Sequence, residues 1–230
     1  MKTRLMLSTA VCAFILSAAA AQQALQQKLE IVKQAVAQNQ AALRQYTWTE
    51  QTNVLLKGEI KKTSYYQCRY GPDGTIQKTE TGSSPAPNQQ RGRVRQHVIE
   101  KKTGELKEYM QQAGALVKQY VPPDPQQMKA EFQSGNASLS QAGAGDIGLE
   151  FKNYVKPGDS LVLTFNTAAK ALSQINVNTY MSDQKDAVSL QVNFQTLPGG
   201  PHYVAQTLLN APAKSIQVQT TSSNYQRMGQ

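Results

Sequence analysis

The stretch DAVSLQVNFQT, residues 186–196, alternates without a break. Val188, Leu190, Val192 and Phe194 take one parity, and Ser189, Gln191, Asn193 and Gln195 take the other. A period of two sends successive side chains to opposite faces of a strand, so the segment predicts a strand with one apolar and one wet face. The pattern continues on both sides. SLVLTFN (160–166) puts Leu161, Leu163 and Phe165 on one face, and SQINVNTYM (173–181) does the same with Ile175, Val177 and Met181. YVAQTLLN (203–210) and KSIQVQTT (214–221) complete five such segments. The connectors between them are too short for crossovers, so the reading is an antiparallel meander. A slip of one residue would turn every apolar side chain outward, which specifies the register strongly.

A second run of strands lies earlier. In YTWTEQTNVLLKGE (46–59), Tyr46, Trp48, Val54 and Leu56 share a parity, with Glu50 and Thr52 between them. Lys57-Gly58 turns the chain, and 59–70 alternate again through Ile60, Tyr66, Cys68 and Tyr70. GPDG (71–74) is a strong turn, because Pro72 presets φ and Gly74 tolerates positive φ. TIQKTE then predicts a short, polar third strand, and GSSPAPNQQ (82–90) reads as a loop.

Helices flank these runs. From Gln23 to Gln45 there is no Gly or Pro, and Leu25, Leu29, Val32, Val36 and Leu43 form one stripe, with Asn39 in the gap. That spacing predicts a long amphipathic helix. A helical insertion is predicted over 92–135, with Leu106, Tyr109, Met110, Ala113, Leu116 and Tyr120 at helical spacing. Asp124 fits an N-cap, Pro125 a first-turn proline and Gly135 a terminator. The fold class expected is α+β. It is a strongly curved antiparallel half-barrel of about eight strands, covered by the N-terminal helix and the insertion. An apolar hollow between such layers suits a lipid-like guest.

The first 21 residues read as a secretory signal. Lys2 and Arg4 precede an apolar run too short to span a bilayer, which ends in Ala19-Ala20-Ala21. The expected mature chain, 22–230, is one exported domain. Losing Lys2 and Arg4 takes the formal charge from +9 to +7. Such a surface is drawn to anionic partners. Export and the lack of aromatics among the basic residues argue against nucleic acid. In RGRVRQHVIEKK (91–102), Arg91, Arg93 and Arg95 are candidate contacts to an anionic membrane surface or an envelope protein. Without Cys12, Cys68 remains alone, so no internal disulfide forms. Its Tyr66–Cys68–Tyr70 setting predicts a buried, inert thiol.

The chain shows no G-x-S-x-G, no H-E-x-x-H and no metal-spaced cluster of Cys or His, and Asp183 with Asp186 reads as a pair of solvated turn residues. The expectation is a monomeric binding protein without catalysis, metal or cofactor. The element order resembles the LolA-like periplasmic carriers and sorting proteins of outer-membrane lipoproteins. That group includes the mycobacterial lipoprotein carriers and the lipid-binding domain of RseB. The chain also resembles exported bacterial proteins with a QYTWTEQT-like start and a KQYVPPDP-like junction, here 45–52 and 118–125. The resemblance implies a curved sheet over helices and an interior for acyl chains. It rests on element order and length, and no family site residue carries over.

The candidate ligand-contacting residues are Trp48, Val54, Leu56, Leu161, Leu163, Val188, Leu190, Val192 and Phe194. Arg44 and Arg69 are candidate headgroup contacts. The partners that follow are a hydrophobic small molecule or lipoprotein acyl chains. The alternative is an envelope interaction module using the basic surface or a sheet edge.

Overall fold

The computed structural model describes residues 37–85, 93–143 and 145–229, with the side chains of 85 and 93–102 left aside. The signal segment and most of the predicted N-terminal helix lie outside the described residues, as does Arg91. Arg93 and Arg95 lie on a helix whose side chains there are likewise not described.

Helix α1 covers residues 37–43 and runs into β1 (Tyr46–Leu56), β2 (Glu59–Tyr70) and β3 (Ile76–Pro85). Helices α2 (Arg93–Val117) and α3 (Pro125–Gln133) follow. Then come β4 (Ala137–Gln141), β5 (Asp146–Lys152), β6 (Ser160–Asn166), β7 (Ala171–Tyr180), β8 (Ala187–Thr196), β9 (His202–Ala211) and β10 (Ile216–Arg227). The protein is α+β, with one curved, open antiparallel sheet in the order β3-β2-β1-β10-β9-β8-β7-β6-β5-β4. The last strand pairs with the first, so the two runs of strands read from the sequence form one surface.

The sheet has ten strands where about eight were expected. The two additions are β4 and β5. β4 is polar and almost wholly exposed, so it has no alternation to read. In β5 the Ile147, Leu149 and Phe151 alternation is present, but Gly143, Gly145 and Gly148 give the segment the composition of a loop. β3 also runs further than expected. Gly82, Ser83 and Ser84 lie opposite Tyr65, Ser64 and Thr63, and Pro85 ends the edge strand, where no ladder bond is lost.

Cross-strand pairing builds one continuous row on the face that carries the helices, the inner face. It runs Val54, Val218, Leu209, Leu190, Val177, Leu161, Phe151, Ala137 across eight strands. The outer face is wet and held by side-chain amides. Gln174 Nε2 donates to Asn193 Oδ1 at 2.9 Å, and Asn193 Nδ2 donates to Gln206 Oε1 at 3.3 Å.

Helix α2 packs on the inner face through the predicted stripe. Ala113 and Val117 meet Val188, Ala211 and Ile216, flanked by Leu106, Tyr109, Met110 and Leu116. Each large aliphatic side chain buried this way contributes about 1.5–3 kcal/mol. The Tyr109 hydroxyl donates to Asp186 Oδ1 at 2.6 Å, which pins the helix to the β7–β8 turn. Asp186 is therefore a helix anchor and not a freely solvated turn residue. Asp183 does keep its turn role, accepting from the Lys185 N–H at 2.8 Å.

The 118–125 junction is the second anchor. Tyr120 is fully buried, and its hydroxyl donates to Asp159 Oδ2 at 2.5 Å and lies 2.8 Å from Thr179 Oγ1. Asp159 also accepts from the N–H groups of Tyr154 (2.6 Å), Val155 (3.1 Å) and Lys156 (2.8 Å). Three backbone donors and a phenol satisfy a carboxylate that would otherwise be costly to bury. Asp124 caps α3 by accepting from the Gln126 N–H, with Pro125 in the first turn as expected.

Candidate functional site

The inner face differs sharply between its two ends. At the end holding Ala137, Phe151, Leu161 and Ala211, helices α2 and α3 and the Tyr120 junction cover the sheet. Phe151 is 1% exposed and Leu161 0%. Along the same two strands, on the same face, Ile147 is 44% exposed and Phe165 38%. Ile147 lies opposite Phe165, and Phe165 lies opposite Leu172 across a bulge. Leu139, 70% exposed, extends this surface onto β4, where it pairs with Leu149. Among the described residues, helical cover ends partway along the strands, and aliphatic and aromatic groups are open at the far end.

Between the ends the lining changes chemistry. Leu139, Leu149, Leu163, Ile175 and Val192 continue across the sheet into Thr207, Thr220, Thr52 and Ser64. Thr52 Oγ1 and Thr220 Oγ1 lie 3.2 Å apart. One half of the face is therefore aliphatic, and a hydroxyl strip crosses the other.

Beyond the strip is an aromatic cluster. Trp48 is buried, stacked on Tyr225 at 5.5 Å with an interplanar angle of 8°, and 5.3 Å from Tyr70. Tyr203 touches Tyr225 at 4.4 Å. A bulge produces the stack. The β1–β10 register shifts between Thr47 and Thr49, and Asn224 takes φ +54°. The extra residue re-aims Tyr225 onto the indole, a common use of bulges. Burial pushes the Tyr225 phenol above its ordinary range.

Behind the cluster Glu50 is buried and ion-paired to Lys78. Cys68 lies opposite Trp48 and is a free, buried thiol. Its pKa is pushed up to about 11, first by burial and then by the Glu50 charge, with Lys78 partly opposing. A thiol so raised is protonated at neutral pH and a poor nucleophile.

Helix α1 reaches this end of the sheet. Asn39, the polar gap in the predicted stripe, forms a two-way amide contact with the His202 backbone. Its Nδ2 donates to the carbonyl at 2.9 Å, and its Oδ1 accepts the N–H at 2.7 Å. Leu43 is buried beside it. At the rim, Arg44, Gln45, Arg227, Met228 and Gly229 line an open cleft of about 500 Å³.

All nine sequence-predicted contact residues lie on the inner face. Trp48, Leu161, Leu163, Val188 and Val192 are buried, and Leu161, Leu163 and Val192 belong to one packed cluster with Tyr120. Val54, Leu56, Leu190 and Phe194 are half-buried. Arg69 lies apart from the cleft, its Nε donating to Gln77 Oε1 at 3.1 Å. The sequence reading passed over Leu139, Ile147 and Arg227. The Ile147–Leu149–Phe151 alternation was the available signal for the second.

Among the described residues no group of three or more His, Cys, Asp or Glu could hold a metal ion. No helix among them is long and apolar enough to cross a membrane. No family model matches the chain, and no curated protein matches it. Among solved structures, a DUF1329 family protein from Desulfovibrio piger aligns with a TM-score of 0.37 at 11% identity, covering 85% of this chain and 90% of that one. Neither value is high enough for anything to be carried from that protein to this chain. What the coordinates define is a class of architecture: an α+β chain built on a curved, open, ten-stranded antiparallel sheet.

Proposed function

We propose that this chain is an exported carrier or sensor that binds a hydrophobic, acyl-chain-like ligand on the inner face of its sheet, without chemistry. In this reading the sheet is a half-barrel of the lipoprotein-carrier kind, lined in part by its helices. The observation that supports it is the exposure difference along β5 and β6, from 1% at Phe151 to 44% at Ile147 and from 0% at Leu161 to 38% at Phe165. Contiguous apolar side chains left open on an otherwise packed face are a common mark of a binding groove. An alkyl chain lying on Leu139, Ile147, Phe165 and Leu172 would remove that surface from water at about 25 cal/mol per Å².

The test is saturable binding of a fluorescent fatty-acid probe to delipidated, folded protein. Binding that saturates and is lost in Phe165→Asp supports the reading. Absence of saturable binding in the wild type, or full binding in the Asp variant, refutes it.

A further inference from the structure

The cleft at the rim of the inner face has an unusual charge balance. Arg44 and Arg227 line it with Gln45, Met228 and Gly229, and among the described residues no carboxylate lines it. Two cationic side chains lining one cleft favour an anion placed between them. The described residues show two ion pairs, Lys61 with Glu59 and Lys78 with Glu50, and neither involves these arginines.

The fold holds the Arg227 guanidinium and places Arg44 against the GPDG turn. Gln45 Oε1 accepts from Arg227 Nε at 3.1 Å and Nη2 at 2.7 Å. Gln45 is itself tied down, since its carbonyl accepts the Met228 N–H at 2.7 Å. Arg44 lies against Gly74, where a Cβ would fall 2.6 Å from its Nη2, and Gly74 has φ +80°. A side chain at residue 74 would push this flexible end of Arg44 aside. The neighbouring Asp73 carboxylate is held chiefly by the Thr75 N–H and hydroxyl, at 3.0 Å and 2.8 Å, and its charge also attracts the Arg44 guanidinium.

The cleft also continues the inner face. Arg227 pairs directly with Tyr46 and shares its side of the sheet, two residues beyond Tyr225 in the stack on Trp48. Met228, 47% exposed, adds an apolar wall. A planar fork of donors beside an apolar surface matches the headgroup of an anionic amphiphile, and guanidinium recognises phosphate and carboxylate in two-point fashion.

We propose that Arg44 and Arg227 form an anion site for a phosphate or carboxylate group, placed so that the attached apolar chain lies along the inner face. This rests on the hydrophobic-ligand reading and narrows it to anionic amphiphiles.

The test compares dodecyl phosphate, dodecanol and inorganic phosphate by calorimetry and Trp48 fluorescence, on the wild type and on the double variant Arg44→Gln, Arg227→Gln. The wild type should bind dodecyl phosphate at least about tenfold more tightly than dodecanol, as expected for charge-assisted hydrogen bonds. The double variant should lose that preference while binding dodecanol unchanged, which also verifies its fold. Equal affinities in the wild type, or a preference that survives in the variant, would overturn the anion site and leave the hydrophobic reading standing. Arginine-dependent binding of inorganic phosphate with no amphiphile bound would keep the anion site and overturn the amphiphile. No binding of any of the three overturns both.

Discussion

Replacing Tyr120 by Phe removes one oxygen from the junction that holds the helical insertion to the sheet. That oxygen donates to Asp159 Oδ2 at 2.5 Å and meets Thr179 Oγ1 at 2.8 Å. A hydrogen bond to a buried carboxylate contributes about 1.5–3 kcal/mol, and stranding the Thr179 hydroxyl adds roughly 1 kcal/mol. The expected loss is about 3 kcal/mol, a large share of the roughly 5–15 kcal/mol that holds a typical domain together. The aromatic ring remains to pack on Tyr154, whose centroid lies 6.1 Å away, so no cavity term enters. Asp159→Asn removes the charge and one acceptor while three N–H groups still point at the site, and it should cost a similar amount. Because both changes strike one bond, the double variant should show a coupling of about 2 kcal/mol in urea unfolding. Additive losses, or single losses below about 0.5 kcal/mol, would refute the assignment of Tyr120–Asp159 as the anchor.

Other outcomes follow from the same geometry. Leu161→Ala, in the covered half of β6, should cost about 2–5 kcal/mol in urea unfolding, while Phe165→Ala on the same strand and face, where the side chain is 38% exposed, should cost less, about 1–2 kcal/mol. Asn39→Ala removes both contacts to His202 and should cost about 1–2 kcal/mol, with faster hydrogen exchange at the His202 amide. The Cys68 thiol, ordinarily near 9.0 and here pushed up to about 11, holds its proton more tightly in the folded chain. Its contribution is complete below pH 9 and lost as pH rises towards 11, so Cys68→Ala should flatten that part of a stability–pH curve. Tyr109, Tyr120 and Tyr225 are raised too, chiefly by burial, and act with the same sign at higher pH. Gly74→Ala should destabilise the GPDG turn by about 1 kcal/mol or more and displace Arg44, read out by unfolding and by loss of phosphate binding.

The C-terminal meander was legible because its wet and apolar residues alternate strictly and its connectors are short. The 92–135 insertion was equally plain, since Asp124, Pro125 and Gly135 punctuate it. β4 escaped because ASLSQ has no apolar face of its own and is ordered by pairing with β5. β3 was cut short because Gly82, Ser83 and Ser84 have loop composition, and only β2 turns them into a strand. Pairing of this kind is a tertiary property that local sequence does not carry.

The candidate site was half legible. Parity identified the inner face correctly, but it does not say where helical cover stops. Leu161 and Phe165 look alike in sequence, yet one is fully buried and the other 38% exposed. Asn39 and Tyr120 were visible as a polar gap in a stripe and as the end of one, but their partners, His202 and Asp159, are distant in the chain. Tyr225 reaches Trp48 only through the Asn224 bulge, which no periodicity announces.

Mass spectrometry of small molecules released from natively purified protein asks most directly whether the open end of the inner face holds a guest. The ligand reading predicts a stoichiometric amphiphile with an alkyl chain and an acidic headgroup, lost from Phe165→Asp and depleted in the double arginine variant. Protein that elutes bare, and that also takes up no alkyl probe after delipidation, would contradict it.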